Sequence, residues 1–124
     1  MLVDDSEADL LFTRIVLERA SREIEVLPFE EGGAALAHLR TAAAHGIELI
    51  LLDINMPGMN GFEFLDAYAA LPAACRDATE VVMLSSSSDP ADRERALACP
   101  GVVGYLTKPI DLAALAALER RAPA

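Results

Sequence analysis

Acidic residues stand in this sequence where their side chains could act together. Asp4 and Asp5 follow an apolar Leu2-Val3, and Asp53 ends the apolar run from Ile47 to Leu52. Ser85 closes Val81 to Leu84, and Thr107 with Lys108 closes Val102 to Leu106. Three carboxylates crowded together do not all ionise without a counter-charge. A hard divalent cation is the natural one, and ligation by oxygen alone suits Mg2+ with several waters retained. Asp53 is also a candidate nucleophile, because a carboxylate can attack phosphorus and form an acyl phosphate. The equatorial oxygens of a transferred group then need neutralising. Mg2+, the Ser85 hydroxyl and the Lys108 ammonium are the candidates for that task.

Each residue also has a plainer reading. Asp4 and Asp5 could simply cap the first helix and meet its positive end. Ser85 could be a solvated loop serine, since three more serines follow it. Lys108 could be a surface lysine. Against that, the chain has nine arginines (14, 19, 22, 40, 76, 93, 95, 120 and 121) and one lysine. A lysine kept at a strand end points to a need for a compact point charge.

The elements that must position these residues alternate strand and helix. Leu2-Val3 opens as an apolar stub. Ser6, with Asp9 three positions on, reads as a capping box for a helix running to about Ala20, with Leu11 and Ile15 at helical spacing. Ile24 to Phe29 is expected as a second strand, at an edge because of Pro28. Glu31-Gly32-Gly33 reads as a turn into a helix ending near Ala44. Ile47 to Leu52 has the near-continuous apolar character of a strand covered on both faces. Residues 54 to 61 form a Pro- and Gly-rich loop, followed by a helix from Phe62 to Leu71. Val81 to Leu84 is a fourth strand, ending in Ser85 to Ser88. Asp89-Pro90 reads as N-cap and first turn of a fourth helix. Val102 to Leu106 is the fifth strand, and Asp111 caps a fifth helix reaching about Arg121. Five such units argue for an open parallel sheet with helices on both faces. Ligands in that architecture sit outside the carboxyl ends of the strands, where Asp4, Asp5, Asp53, Ser85, Thr107 and Lys108 all stand.

The 124 residues amount to one domain, and 53% hydrophobic with 24% charged residues is a globular composition. A net charge of −10 repels phosphate backbones and anionic lipid, so neither nucleic acid nor membrane is an expected partner. No apolar run nears the roughly 20 residues of a membrane span. Acid stands at the N-terminus where a signal peptide needs base. Cys75 and Cys99 form no framework, so a reduced, cytoplasmic protein is expected. His38 and His45 read as surface residues and Met56, Met59 and Met83 as packing. Gly32-Gly33 lacks a dinucleotide fingerprint.

With these residues in place, the chain resembles the receiver domain of two-component response regulators, in its single-domain, chemotaxis-regulator-like form. The motifs are VDD at 3–5, ILLDINMPGMNG at 50–61, VVMLSS at 81–86 and GYLTKP at 104–109. The resemblance covers essentially residues 1–124 as a single receiver domain, with no effector domain. It implies a flavodoxin-like, doubly wound five-stranded parallel sheet in strand order 2-1-3-4-5 with five helices. It implies phosphorylation of Asp53 by a sensor histidine kinase or phosphotransfer protein. Mg2+ would be held by Asp5, Asp53 and the backbone carbonyl of Asn55, with Asp4 reached through water. Ser85 and Lys108 would bind phosphoryl oxygens, and Tyr105 with Ser85 would form the switch. Output would be a protein contact, to a downstream target or a second copy, through the fourth helix, fifth strand and fifth helix. Asn60 departs from the Asp common in the family's loop. The first strand is short for a central one, about 10 Å of chain before Asp4.

Three other readings compete. Haloacid-dehalogenase-like phosphatases share the aspartate nucleophile and Mg2+, but keep a second Asp two residues on, where this chain has Asn55. A flavin-binding module needs a phosphate loop after the first strand, where Asp4-Asp5 would repel the phosphate. A phosphorylation-independent interaction module would not need the complete acid, hydroxyl and lysine set. The expectation is therefore a phosphoacceptor and not an enzyme.

Overall fold

The computed structural model describes residues 1–20, 25–41, 46–86, 89–108, 110 and 113. Its strands are β1 (Leu2–Val3), β2 (Pro28–Phe29), β3 (Leu49–Asp53), β4 (Glu80–Ser85) and β5 (Val102–Thr107). The helices are α1 (Glu7–Ala20), α2 (Gly32–Arg40), α3 (Gly61–Ala69) and α4 (Pro90–Ala98). All strand pairings are parallel, and the order is β2-β1-β3-β4-β5, as the resemblance implies. The fifth helix expected from Asp111 lies outside the described residues.

Successive side chains of a strand point to opposite faces, and here both faces are apolar. Val3, Ile50, Leu52, Val81 and Met83 join one core with Leu36 and Leu39 of α2 and Phe64, Leu65 and Tyr68 of α3. Leu2, Leu51, Val82 and Leu84 join the other with Leu10 and Leu17 of α1 and Ile110. This two-sided burial explains why β3 reads as a continuous apolar run.

The brevity of β1 is offset by bonds beyond its two assigned residues. The Met1 ammonium donates to the Leu49 carbonyl at 2.9 Å, Leu51 N–H to Met1 O at 2.9 Å, and Asp4 N–H to Phe29 O at 3.1 Å. Asp4 is thereby fixed at the sheet edge from the β2 side. In β5 the register slips after the Val81–Val102 pair, so that Val82 faces Gly104 and Val103 is left over. The ladder then runs to Ser85 opposite Thr107.

Several sequence expectations need correcting. The apolar face of α1 is not Leu11 and Ile15, which are exposed along with Phe12; Leu10, Thr13 and Leu17 are buried instead. The shorter run of β2 begins only at Pro28, although Leu27 O already accepts from Leu2 N–H. Gly32 and Gly33 are the first residues of α2 rather than a turn before it. Ser85 is the last residue of β4 and fully buried, not part of a solvated loop. The mixed charges of α4 include Arg95, whose guanidinium lies 3.8 Å from the Phe62 ring centroid, within cation–π range. His38 is half-buried with its ring 5.6 Å from that of Phe29; His45 lies outside the described residues. Met56 and Met83 are core residues, as expected.

Candidate functional site

Five parallel strands leave their carboxyl ends along one edge, and the turns that follow decide which side chains meet there. After β1, the Asp4 carboxylate accepts from Ser6 N–H at 3.0 Å, and Ser6 Oγ accepts from Asp9 N–H at 3.3 Å. The reciprocal half of the expected capping box is absent: Ser6 N–H bonds Asp4, and the Asp9 side chain goes elsewhere. After β3, Ile54 N–H donates to Leu84 O at 3.0 Å, which ties the loop to β4 just past Asp53.

The rest of that loop is fixed by two residues. Asn60 Oδ1 accepts from Glu63 N–H at 2.9 Å, while Glu63 Oε1 accepts from Asn60 N–H at 3.1 Å. This complete capping box gives Asn60 a helix-starting role that Asn and Asp share. Gly61 then lets α3 approach the strand end. A Cβ at this position would lie 2.7 Å from Asp53 O and 2.9 Å from Ile54 Cα.

Asp4, Asp5 and Asp53 each offer a carboxylate oxygen within 4.8 Å of the others. Asp4 and Asp53 are buried, and Asp5 is exposed. Beyond Asp5 an open cleft of about 520 Å3 is bordered by Glu31, Gly32, Met56 and Met59, so the cluster is reachable from solvent. An all-oxygen, carboxylate-rich donor set with an open side fits a hard dication such as Mg2+ that keeps waters.

The resident counter-charge is Lys108. Its Nζ lies 2.6 Å from Asp4 Oδ2, 3.0 Å from Asp9 Oδ2 and 3.3 Å from Asp53 Oδ1. Lys108 is placed there by β5, with its N–H donating to Ser85 O at 2.7 Å. Burial disfavours the ammonium, but hydrogen bonds to Asp4 and Asp9 and the charges of Asp53 and Asp4 outweigh it, so its pKa rises. It stays charged at any physiological pH. The Asp53 carboxyl is pushed up to about 6, by burial first and then by the Asp4 charge. Lys108 and the Asn55 N–H, which Asp53 accepts, pull the other way.

Asp4, Asp5, Asp53 and Lys108 are thus brought together as the sequence led one to expect. Ser85 stands beside them at the buried end of β4, and Asn55 contributes its N–H to Asp53. Tyr105 sits in β5 opposite Met83, half-buried against the α2–α3 core. Thr107 is exposed at the end of β5. Asp9 is the residue that sequence reasoning missed. The signal was present in its position: it lies in the first turn of a helix that starts at the strand edge, so its side chain can face the same edge.

A family model described as response regulator receiver domain matches residues 1–119. The chain is 34% identical over 110 residues to the cyclic di-GMP phosphodiesterase response regulator RpfG of Xanthomonas campestris pv. campestris, covering 89% of the chain and 28% of RpfG. It is 32% identical to the transcriptional regulatory protein KdpE of Mycobacterium tuberculosis, covering 98% of the chain and 50% of KdpE. The chain therefore spans half or less of these curated relatives. Solved structures of similar size also match. A response regulator receiver protein from Dyadobacter fermentans superposes with a TM-score of 0.87 at 37% identity, covering 97% of this chain and 93% of that one. The chemotaxis protein CheY4 of Vibrio cholerae does so with a TM-score of 0.78 at 30% identity and the same coverage.

Proposed function

The chain belongs to the response regulator receiver domain family, and on that premise we propose how its own residues take and hold a phosphoryl group. It is a phospho-accepting signalling domain. Asp53 is the phosphoacceptor. One of its carboxylate oxygens attacks the donor's phosphorus, the bond from phosphorus to the donor atom breaks, and an acyl phosphate stands at the end of β3. Water later attacks that phosphorus, the bond from phosphorus to the Asp53 oxygen breaks, and inorganic phosphate leaves with the carboxylate restored. Asp4, Asp5, Asp53 and the backbone carbonyl of Asn55 are the residues to hold Mg2+, which when bound supplies positive charge for the phosphoryl oxygens. Lys108 and the Ser85 hydroxyl take the remaining oxygens. Movement of Ser85 towards the phosphoryl group gives Tyr105 room to turn inward, a two-state packing change biased by a new charge.

The observation that supports this reading is the placement of Asp53. It is buried at a strand end, 3.3 Å from a permanent ammonium, with two further carboxylates close by. Burial and Asp4 raise the energy of its free anion, and the Lys108 ammonium stands beside it for the charge that phosphorylation adds. Asn55 carries no titratable proton where an aspartyl phosphatase keeps its second acid, so the chain acts as an acceptor rather than an enzyme. Its donor is a sensor histidine kinase or phosphotransfer protein, and its output is a protein contact made by α4 and β5, to a target or a second copy. No DNA or membrane contact is part of this function, and the setting is cytoplasmic. No helix among the described residues is long and apolar enough to cross a membrane.

The reading is tested by phosphoryl uptake from a small acyl-phosphate donor with Mg2+. Uptake in the parent, none without Mg2+ and none in Asp53→Asn is the expected result. Undiminished uptake by Asp53→Asn contradicts the assignment.

A further inference from the structure

Asp9 belongs to none of the roles above, yet its carboxylate is spent on the most important cation of the site. It stands in the first turn of α1, and its Oδ2 accepts from Lys108 Nζ at 3.0 Å. Its side chain is about half exposed, whereas that of Asp4 is 6% and that of Lys108 14% exposed. An ammonium has three N–H donors, and the three carboxylates around Lys108 match them.

These three partners differ in one respect. Asp4 and Asp53 also belong to the cluster that fits a divalent cation, and Asp9 does not. A dication bound there draws on the negative charge of Asp4 and Asp53 and places its own positive charge near the ammonium. The N-terminal end of α1 adds further positive potential on the same side. Lys108 has a flexible four-carbon stem and a strongly hydrated head, so solvent competes for it once its partners are neutralised. Asp9 is then the carboxylate left to hold it.

We propose that Asp9 is a positioning residue that keeps the Lys108 ammonium beside Asp53 when a divalent cation occupies the Asp4–Asp5–Asp53 cluster. The inference rests on the metal and phosphoacceptor assignments made above. Asp9 touches no reacting atom. It acts by keeping Lys108 ready to meet the phosphoryl oxygens, and its exposure lets it release the lysine without leaving a buried charge unpaired.

The single lysine of the sequence makes the test direct, because uniform 15N labelling gives one lysine side-chain ammonium signal, that of Lys108, alongside the backbone amides. Mg2+ alone is titrated into the parent, Asp9→Asn, Asp9→Ser and Asp9→Glu, and hydrogen exchange at Nζ is followed together with the backbone amide of Asp5. The Asp5 amide should shift in all four. Nζ exchange should stay slow through saturation in the parent and in Asp9→Glu. In Asp9→Asn and Asp9→Ser it should be slow without Mg2+ and at least tenfold faster with it. Initial phosphoryl uptake at saturating Mg2+ should fall several-fold in Asp9→Asn, and Asp9→Asn should cause no further fall in a Lys108→Ala background. Two variants guard against a fold defect, and the cap is made by the Asp9 backbone, which both retain. Slow exchange in Asp9→Asn at saturating Mg2+ overturns the inference, as does fast exchange before Mg2+ is added. An Asp5 amide that does not respond to Mg2+ overturns the metal assignment itself, and the inference with it.

Discussion

Burial and the Asp4 charge hold the Asp53 carboxyl near a pKa of about 6, against an ordinary 3.8. The sign of the consequence follows from which state holds the proton. Between those values the folded chain binds more protons at Asp53 than the unfolded chain, so stability falls as pH rises through this window. Below about pH 3 both states are protonated and the penalty is absent; above about pH 7 it is complete, at about 2–3 kcal/mol. Asp53→Asn removes it. In metal-free, low-salt buffer, denaturant unfolding should show the variant's advantage over the parent growing from near zero at about pH 3 to about 2–3 kcal/mol at about pH 7. An advantage that does not change with pH would mean that Asp53 is not held against ionisation. Much of this site was legible at residue level. Asp53 ends an apolar run, and Lys108 is the one lysine among nine arginines. The partner of Lys108 in the absence of phosphate was not legible. The Asp9 pairing depends on a helix phase and a side-chain direction, and the pattern Ser6-x-x-Asp9 reads equally well as a capping box, of which the structure keeps only the Ser6 half.

At the scale of elements, the site depends on α3 approaching the end of β3 at Gly61. An added methyl would meet the Asp53 carbonyl and the Ile54 Cα below 3.0 Å, both of them backbone atoms that cannot swing aside. Overpacking of this kind costs about 1–3 kcal/mol. Gly61→Ala should therefore lower the melting temperature by several degrees and slow phosphoryl uptake, since the displaced backbone carries Asp53. Gly58 is the control. Its φ of 79° is left-handed, but an added Cβ meets nothing within 4 Å. Gly58→Ala should cost about 1 kcal/mol of backbone strain and leave uptake at the parent rate. Equal effects of the two substitutions on uptake would show that the close approach is incidental. Element types and order were readable from period and punctuation, because β3 and β4 are covered on both faces and Asp89-Pro90 starts α4 through a bond from Ala91 N–H at 2.9 Å. The phase of α1 was not. Leu10, Leu11, Phe12, Ile15, Val16 and Leu17 are apolar nearly all round the helix, and only the sheet decides that Leu10 and Leu17 face inward.

At the scale of the whole molecule, whose net charge is −10, the carboxylates of Asp4, Asp5, Asp9 and Asp53 gather around the one ammonium of Lys108. That leaves negative charge to be neutralised, and a ligand that binds only the folded state stabilises it by mass action. Mg2+ at about 100 times its dissociation constant should add about 2.7 kcal/mol, on the order of 10 °C in melting temperature for a domain of this size. Asp5→Ala should abolish most of that gain while raising the metal-free stability, since it removes a like charge. A gain that survives Asp5→Ala would place the ion elsewhere. The two-sided sheet, the strand-end aspartates and the lone lysine all converge on one claim, that Asp53 is where the phosphoryl group resides. The most direct test is to phosphorylate the parent chain with a small acyl-phosphate donor and Mg2+, reduce the product with borohydride and map the modified residue by mass spectrometry. An acyl phosphate on an aspartate is reduced to homoserine. The account predicts homoserine at position 53 alone; homoserine at another aspartate, or phosphate retained on a hydroxyl or imidazole with position 53 unchanged, would contradict it.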